Sequence, residues 1–247
     1  MSAIKIDVYD DAGQLAQGVA NRVLTIVAEA IDERGSCSIA LAGGSTPKRL
    51  YELLATDEFR EGIDWSRVHL FLGDERYVPL EHPDSNFQMA KEALIDQVSI
   101  PDSNVNPVPT ELEATAAAAQ YEDVIRTMIP AGDDRIPVID LVLLGIGDDG
   151  HTASLFPGTD ALRVKDRLVV ANDVPQQSAT RITFTIPLIQ AARETILLAT
   201  GAGKADAVAK AIEGAPNIEQ TPSQILRDAR GTVTFALDHD AAGKLSG

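Results

Sequence analysis

The chain has 247 residues, 45% of them hydrophobic, and a formal net charge of −16 from 21 basic and 37 acidic side chains. Such acidity excludes nonspecific nucleic-acid binding and docking on anionic membranes, which both need Lys and Arg against phosphate. The hydrophobic fraction excludes a disordered acidic chain, and the length gives one large α/β domain ample core, so residues 1–247 are read as one domain.

Met1 to Asp7 lacks the basic start and apolar core of a signal peptide, and a cytoplasmic protein is expected. Ile4 to Tyr9 alternates apolar and polar residues, as a half-buried strand does. In Asp11 to Arg34, Leu15, Val19, Val23, Ile26, Val27, Ala30 and Ile31 form one apolar stripe on a long helix, and Gly35 is placed to end it. Cys37, the single cysteine, permits no internal disulfide and reads as a small buried residue. Ser38 to Ala42 is a strand apolar on both faces, followed by a helix from Thr46 to Ala55. Val68 to Leu72 is a second such strand, with His69 inside it as a core residue, and Ser85 to Asp96 is the helix after it. Leu112 to Ile129 is an alanine-rich helix, and Val98 to Pro109 and Ile129 to Pro137 read as loops.

Ile139 to Leu144 and Thr195 to Thr200 are two more buried strands, and Lys204 to Glu213 is a helix. Arg181 to Ile186 and Gly231 to Leu237 add further strands. Runs apolar on both faces suit a parallel sheet covered by helices on each side. The alternation predicts a Rossmann-like α/β fold: an open, mostly parallel sheet with helices on both faces.

In such sheets ligands bind beyond the carboxyl ends of the strands, and the unusual residues gather there. In Leu41-Ala-Gly-Gly-Ser-Thr-Pro-Lys48, Gly43 and Gly44 allow close backbone approach, with Thr46 as N-cap and Pro47 as first helical residue. Free amides and the Ser45 and Thr46 hydroxyls at such a helix start can cradle a phosphate, and an ordinary capped turn is the alternative. Asp74-Glu-Arg76 ends another strand and suits sugar hydroxyls, proton transfer or phosphate, unless it is a solvated turn. Gly145, Gly147 and Gly150 match the spacing GxGxxG, but Asp148 and Asp149 would face a pyrophosphate and Pro157-Gly158 interrupts the required helix. What remains is His151 two residues after Asp149. The aspartate can fix the imidazole tautomer and leave the other nitrogen as a general base, against a purely structural histidine. Arg181 and Lys204 each stand at a strand terminus as surface charges or anion ligands. His82 and His239 lie in polar loops, and no spacing points to a metal.

Taken together, the chain resembles the 6-phosphogluconolactonase family. The resemblance is carried by Gly43-Gly-Ser-Thr-Pro47, Gly73-Asp-Glu-Arg76, Ser85-Asn86, Gly145-Ile-Gly-Asp-Asp-Gly-His-Thr-Ala-Ser-Leu-Phe-Pro157, Arg181-Ile-Thr183 and Gly203-Lys-Ala205. The related glucosamine-6-phosphate deaminases have tyrosine where this chain has Arg76, and glutamate where it has Phe156. The resemblance implies hydrolysis of 6-phospho-D-glucono-1,5-lactone, with His151 as base and Asp149 orienting it. It implies phosphate held by Arg76, Arg181 and Lys204 with Ser45, Thr46 and amides of Gly43 and Gly44, and sugar hydroxyls or Arg76 met by Asp74. Oxyanion donors are expected from the Gly43-Gly44 or the Gly145–Gly150 loop. It implies a small-molecule substrate as partner and no metal or organic cofactor; a monomer is favoured by the acidic surface, although composition does not decide the oligomeric state.

Overall fold

The computed structural model describes residues 4–246. Its strands are β1 (Ile4–Tyr9), β2 (Cys37–Leu41), β3 (Val68–Leu72), β4 (Asp74–Arg76), β5 (Leu141–Gly145), β6 (Val169–Val174), β7 (Ala179–Phe184), β8 (Glu194–Ala199) and β9 (Thr232–Asp238). Six of them form one parallel sheet in the order β1-β9-β8-β5-β2-β3. The central strands are buried along almost their whole length, which is why their sequences are apolar on both faces. Edge strand β1 differs: Ile6 and Val8 are 43% and 44% exposed.

Helix Ala12–Arg34 crosses from β1 to β2. Asp11 caps it by accepting from the Gly13 and Gln14 amides, and Gly35, at φ 82°, ends it in the left-handed conformation that glycine adopts without a Cβ clash. Leu15, Val19, Val23, Ile26, Val27 and Ala30 are all buried, so the stripe faces the core. Helices Ser45–Leu54 and Ala205–Ile212 follow β2 and β8. The predicted helix 85–96 is shorter, spanning Asn86–Ala93, and the alanine-rich helix spans Ala114–Met128.

Two expectations need correction. The strand anticipated at 181–186 is not in the large sheet. As β7 it pairs antiparallel with β4 and β6, giving a three-stranded sheet, and Ile186 already opens a short helix, Ile186–Ala191, with Pro187 in its first turn. His69 is not a core residue. It lies on β3 at the sheet edge, is half-buried, and burial without a partner for Nδ1 pulls its pKa down. Cys37 is fully buried, and that burial pushes its thiol up.

The small sheet sits at the carboxyl end of the large one. Gly73 joins β3 to β4: its N–H donates to the Leu41 carbonyl and its carbonyl accepts from Phe184. This junction brings β4, β7 and the ends of β2, β5 and β8 around one cavity.

Candidate active site

The cavity has a volume of about 240 Å³. Gly43 and Gly44 after β2 line it. Gly44, at φ 103°, makes a turn that strains any residue with a Cβ, so the helix begins at Ser45 with Gly44 as its cap. Thr46 is therefore not the N-cap, and Pro47 is the third helical residue rather than the first. Proline fits there because the N–H it lacks would have no partner inside the helix. Ser45 is exposed and Thr46 Oγ1 bonds Thr200 Oγ1 at 2.8 Å; neither lines the cavity. Gly43 is needed for space, since a Cβ would come within 2.0 Å of Asn86 Oδ1.

After β5 the glycine-rich loop folds back on itself. The Gly147 N–H donates to the His151 carbonyl and the Gly150 N–H to the Gly147 carbonyl, both at 2.9 Å. Thr152 Oγ1 donates to the Gly145 carbonyl. His151 lines the cavity with its Nδ1 2.6 Å from Asp149 Oδ1, and its ring stacks on Phe156 at 4.0 Å between centroids. Burial pushes the Asp149 carboxyl up, but the ring hydrogen bond, amide and charge of His151 outweigh it and hold the group below its ordinary value. An ionised Asp149 fixes the proton on Nδ1 and leaves Nε2 for chemistry. A Cβ on Gly147 would lie 2.0 Å from His151 Nδ1, so the histidine's position requires glycine there. Ala153, also on the cavity wall, is held at φ 47°.

The small sheet supplies charge. Arg76 on β4 and Arg181 on β7 are direct cross-strand partners, and both line the cavity. Two cations side by side are costly, and burial followed by the Arg76 charge lowers the Arg181 pKa, against Asp74, Glu75 and Asp84. Arg76 Nη1 donates to the Asp84 carbonyl and Arg181 bonds Gln177 Oε1, yet Nε of each is buried without a partner. Two adjacent guanidinium groups on the cavity wall, each with an Nε donor that the protein leaves unpaired, are chemically suited to an anion. Asp74 is buried, and its Oδ2 accepts from the Ser154 hydroxyl at 2.6 Å. Lys204, after β8, also lines the cavity and pairs with Asp148 at 2.6 Å.

The cavity thus gathers Gly43, Gly44, Asp74, Arg76, His151, Arg181 and Lys204, with Asp149 bracing the histidine. Sequence reasoning missed Gln177, Ser154 and Asn86 as wall residues. Asn86 had a signal, standing in the Ser85-Asn86 pair that helps carry the resemblance; Gln177 had none. Among the described residues no cluster of His, Cys, Asp and Glu is placed to hold a metal, and no helix is long and apolar enough to cross a membrane.

Residues 10–235 match the family model described as glucosamine-6-phosphate isomerases/6-phosphogluconolactonase. The chain is 42% identical over 244 residues to the 6-phosphogluconolactonase of Synechocystis sp., covering 98% of this chain and 99% of that protein. It is 38% identical over 246 residues to the enzyme of that name from Mycobacterium tuberculosis, covering 97% and 98%. The crystal structure of 6-phosphogluconolactonase from Leishmania guyanensis superposes with a TM-score of 0.90 at 30% identity, over 99% of this chain and all of that one. Shared sequence over nearly its full length and a shared fold place the chain in the glucosamine-6-phosphate isomerase/6-phosphogluconolactonase family.

Proposed function

We propose that this protein is a 6-phosphogluconolactonase, hydrolysing 6-phospho-D-glucono-1,5-lactone to 6-phospho-D-gluconate in the oxidative pentose phosphate pathway. The observation that carries the reading is one cavity holding both an Asp149-braced histidine and two guanidinium groups with unpaired donors. In this reading Arg76 and Arg181 hold the phosphate, with Lys204 exchanging Asp148 for substrate oxygens. Fixing the remote phosphate orients the carbonyl, so binding distant from the reacting bond lowers its barrier.

Water attacks the lactone carbonyl carbon while His151 Nε2 takes its proton. The carbonyl electrons move to oxygen, and the oxyanion needs donors. The Gly43-Gly44 turn suits this better than the later loop, because the Gly147 and Gly150 amides already bond carbonyls. Collapse breaks the bond to the ring oxygen, which recovers the proton from the imidazolium, and the new acid ionises in water. Asp74, tied to Ser154, is left to accept from sugar hydroxyls. Phe156 against the imidazole argues against the deaminase reading, since it puts a ring where that pattern has a carboxylate. The reading is of a cytoplasmic enzyme, favoured as a monomer, that needs no metal or organic cofactor, because attack of water on an activated lactone needs neither a hydride acceptor nor an electron sink.

The test is lactone hydrolysis coupled to 6-phosphogluconate oxidation, with spontaneous opening subtracted. Acceleration of lactone opening is expected. Ammonia release from glucosamine 6-phosphate, with no such acceleration, overturns the reading.

A further inference from the structure

Glu75 lies between Asp74 and Arg76 on β4 and is fully buried. Its Oε1 accepts the amides of Asn86 and Arg76, both at 2.7 Å. Its Oε2 accepts the Phe87 amide at 2.8 Å and the Ser85 hydroxyl at 3.1 Å. Burial pushes its carboxyl up against the pull of those amides, and four donors around two oxygens match the ionised form.

A carboxylate beside arginines normally takes their N–H groups. Glu75 does not, because the backbone and Ser85 already fill its oxygens, and Nε of both Arg76 and Arg181 stays unpaired. Its charge still acts through space, opposing the burial and mutual repulsion that work against Arg181. The same carboxylate ties the start of helix Asn86–Ala93 to β4. That fixes Asp84, whose carbonyl holds Arg76, and Asn86, whose Nδ2 donates to the Asp74 carbonyl on the cavity wall.

We propose that Glu75 is a positioning residue for phosphate recognition: a buried counter-charge kept off the arginines by its own hydrogen bonds, holding two guanidinium groups together with their Nε donors unpaired. This rests on the reading of Arg76 and Arg181 as phosphate ligands. Glutamine removes the charge and turns an amide donor toward N–H groups that need an acceptor. Aspartate keeps the charge but is one carbon too short to hold the helix amides.

The experiment measures Kd for 6-phosphogluconate by calorimetry, with KM and kcat for the lactone, in wild type, Glu75→Gln and Glu75→Asp. Loss of charge-assisted positioning in Glu75→Gln should raise Kd and KM about 10-fold, with kcat held within about threefold. Glu75→Asp should shift the same two quantities less, and it carries the test alone if the glutamine variant does not fold. A fall in kcat at unchanged KM and Kd is what a lower folded fraction produces, and it overturns the proposal. So does an unchanged Kd in both variants. Failure of the wild type to bind 6-phosphogluconate overturns the phosphate reading itself, a separate failure seen before any variant is made.

Discussion

Two clusters of arginine and carboxylate sit at opposite ends of the large sheet, and they are built differently. At the amino end Asp140 is buried, accepts from the Ser38 amide and hydroxyl and from Nε of Arg34, and forms an ion pair with Arg193. Each of these donors faces an acceptor of the protein. At the carboxyl end Arg76 and Arg181 keep buried Nε donors free, and the fully buried carboxylate of Glu75 is occupied elsewhere. On the proposed function, the difference separates charge that holds a fold together from charge held ready for a ligand. Burial and net charge alone do not distinguish the two, whereas donor accounting does.

The sharpest test of the carboxyl end is its histidine. His151→Ala should lower kcat about 10²–10⁴-fold, the usual scale of a general base, while 6-phosphogluconate still binds by calorimetry. Near wild-type turnover would remove His151 from the chemistry. Gly147→Ala should follow, because the added methyl needs the space His151 occupies. A displacement of about 1 Å costs on the order of 10² in kcat, so steady-state kinetics should find a large loss in a folded protein.

Next come paired variants, one from each cluster. Arg181→Ala should raise KM about 10–100-fold through lost charge-assisted hydrogen bonds. Asp140→Ala should leave KM unchanged and lower stability by about 1–3 kcal/mol, since the Ser38 amide loses its acceptor while the partly exposed arginines turn to water. Denaturant midpoints and KM measured on both variants decide it; a KM effect from Asp140 would erase the contrast. The smallest effect is that of salt. With a surface of net charge −16 the long-range field opposes an anionic substrate. Inert salt at about 0.1–0.5 M should therefore change kcat/KM less than about threefold, and upward if at all. A steep fall would mean that steering cations dominate capture.

The large sheet was legible because β2, β5 and β8 are covered on both faces and so are largely apolar on both. The small sheet was not. Its β4 consists of three charged residues, Asp74-Glu-Arg76, and is a strand only because β7 pairs with it more than a hundred residues later. His69 misled for the same kind of reason, since edge position depends on strand order and not on local pattern. Asp149 and His151 were readable as partners because they are two residues apart. The adjacency of Arg76 and Arg181 exists only in the fold. Thr46 looked like a cap by residue preference, but the left-handed Gly44 started the helix earlier and turned that hydroxyl toward Thr200.

Two buried tyrosines bear on how the cavity can work. Tyr51 Oη accepts the Ala42 amide and donates to the Ala42 carbonyl, and Tyr121 Oη does the same at Leu72, sharing its proton with the Asn106 carbonyl. Each phenol satisfies both backbone groups of one residue where the chain leaves the sheet, Ala42 just after β2 and Leu72 at the end of β3, and burial keeps both protonated. The two strand ends, already joined through the β2–β3 ladder as far as Leu41 and Leu72, are thereby also riveted to helices Ser45–Leu54 and Ala114–Met128. Loops above them can exchange water for substrate and back without unzipping the β2–β3 ladder beneath. The amides of Ala42 and Leu72 belong with the slowest-exchanging positions of the molecule, a fixed anvil under a working face.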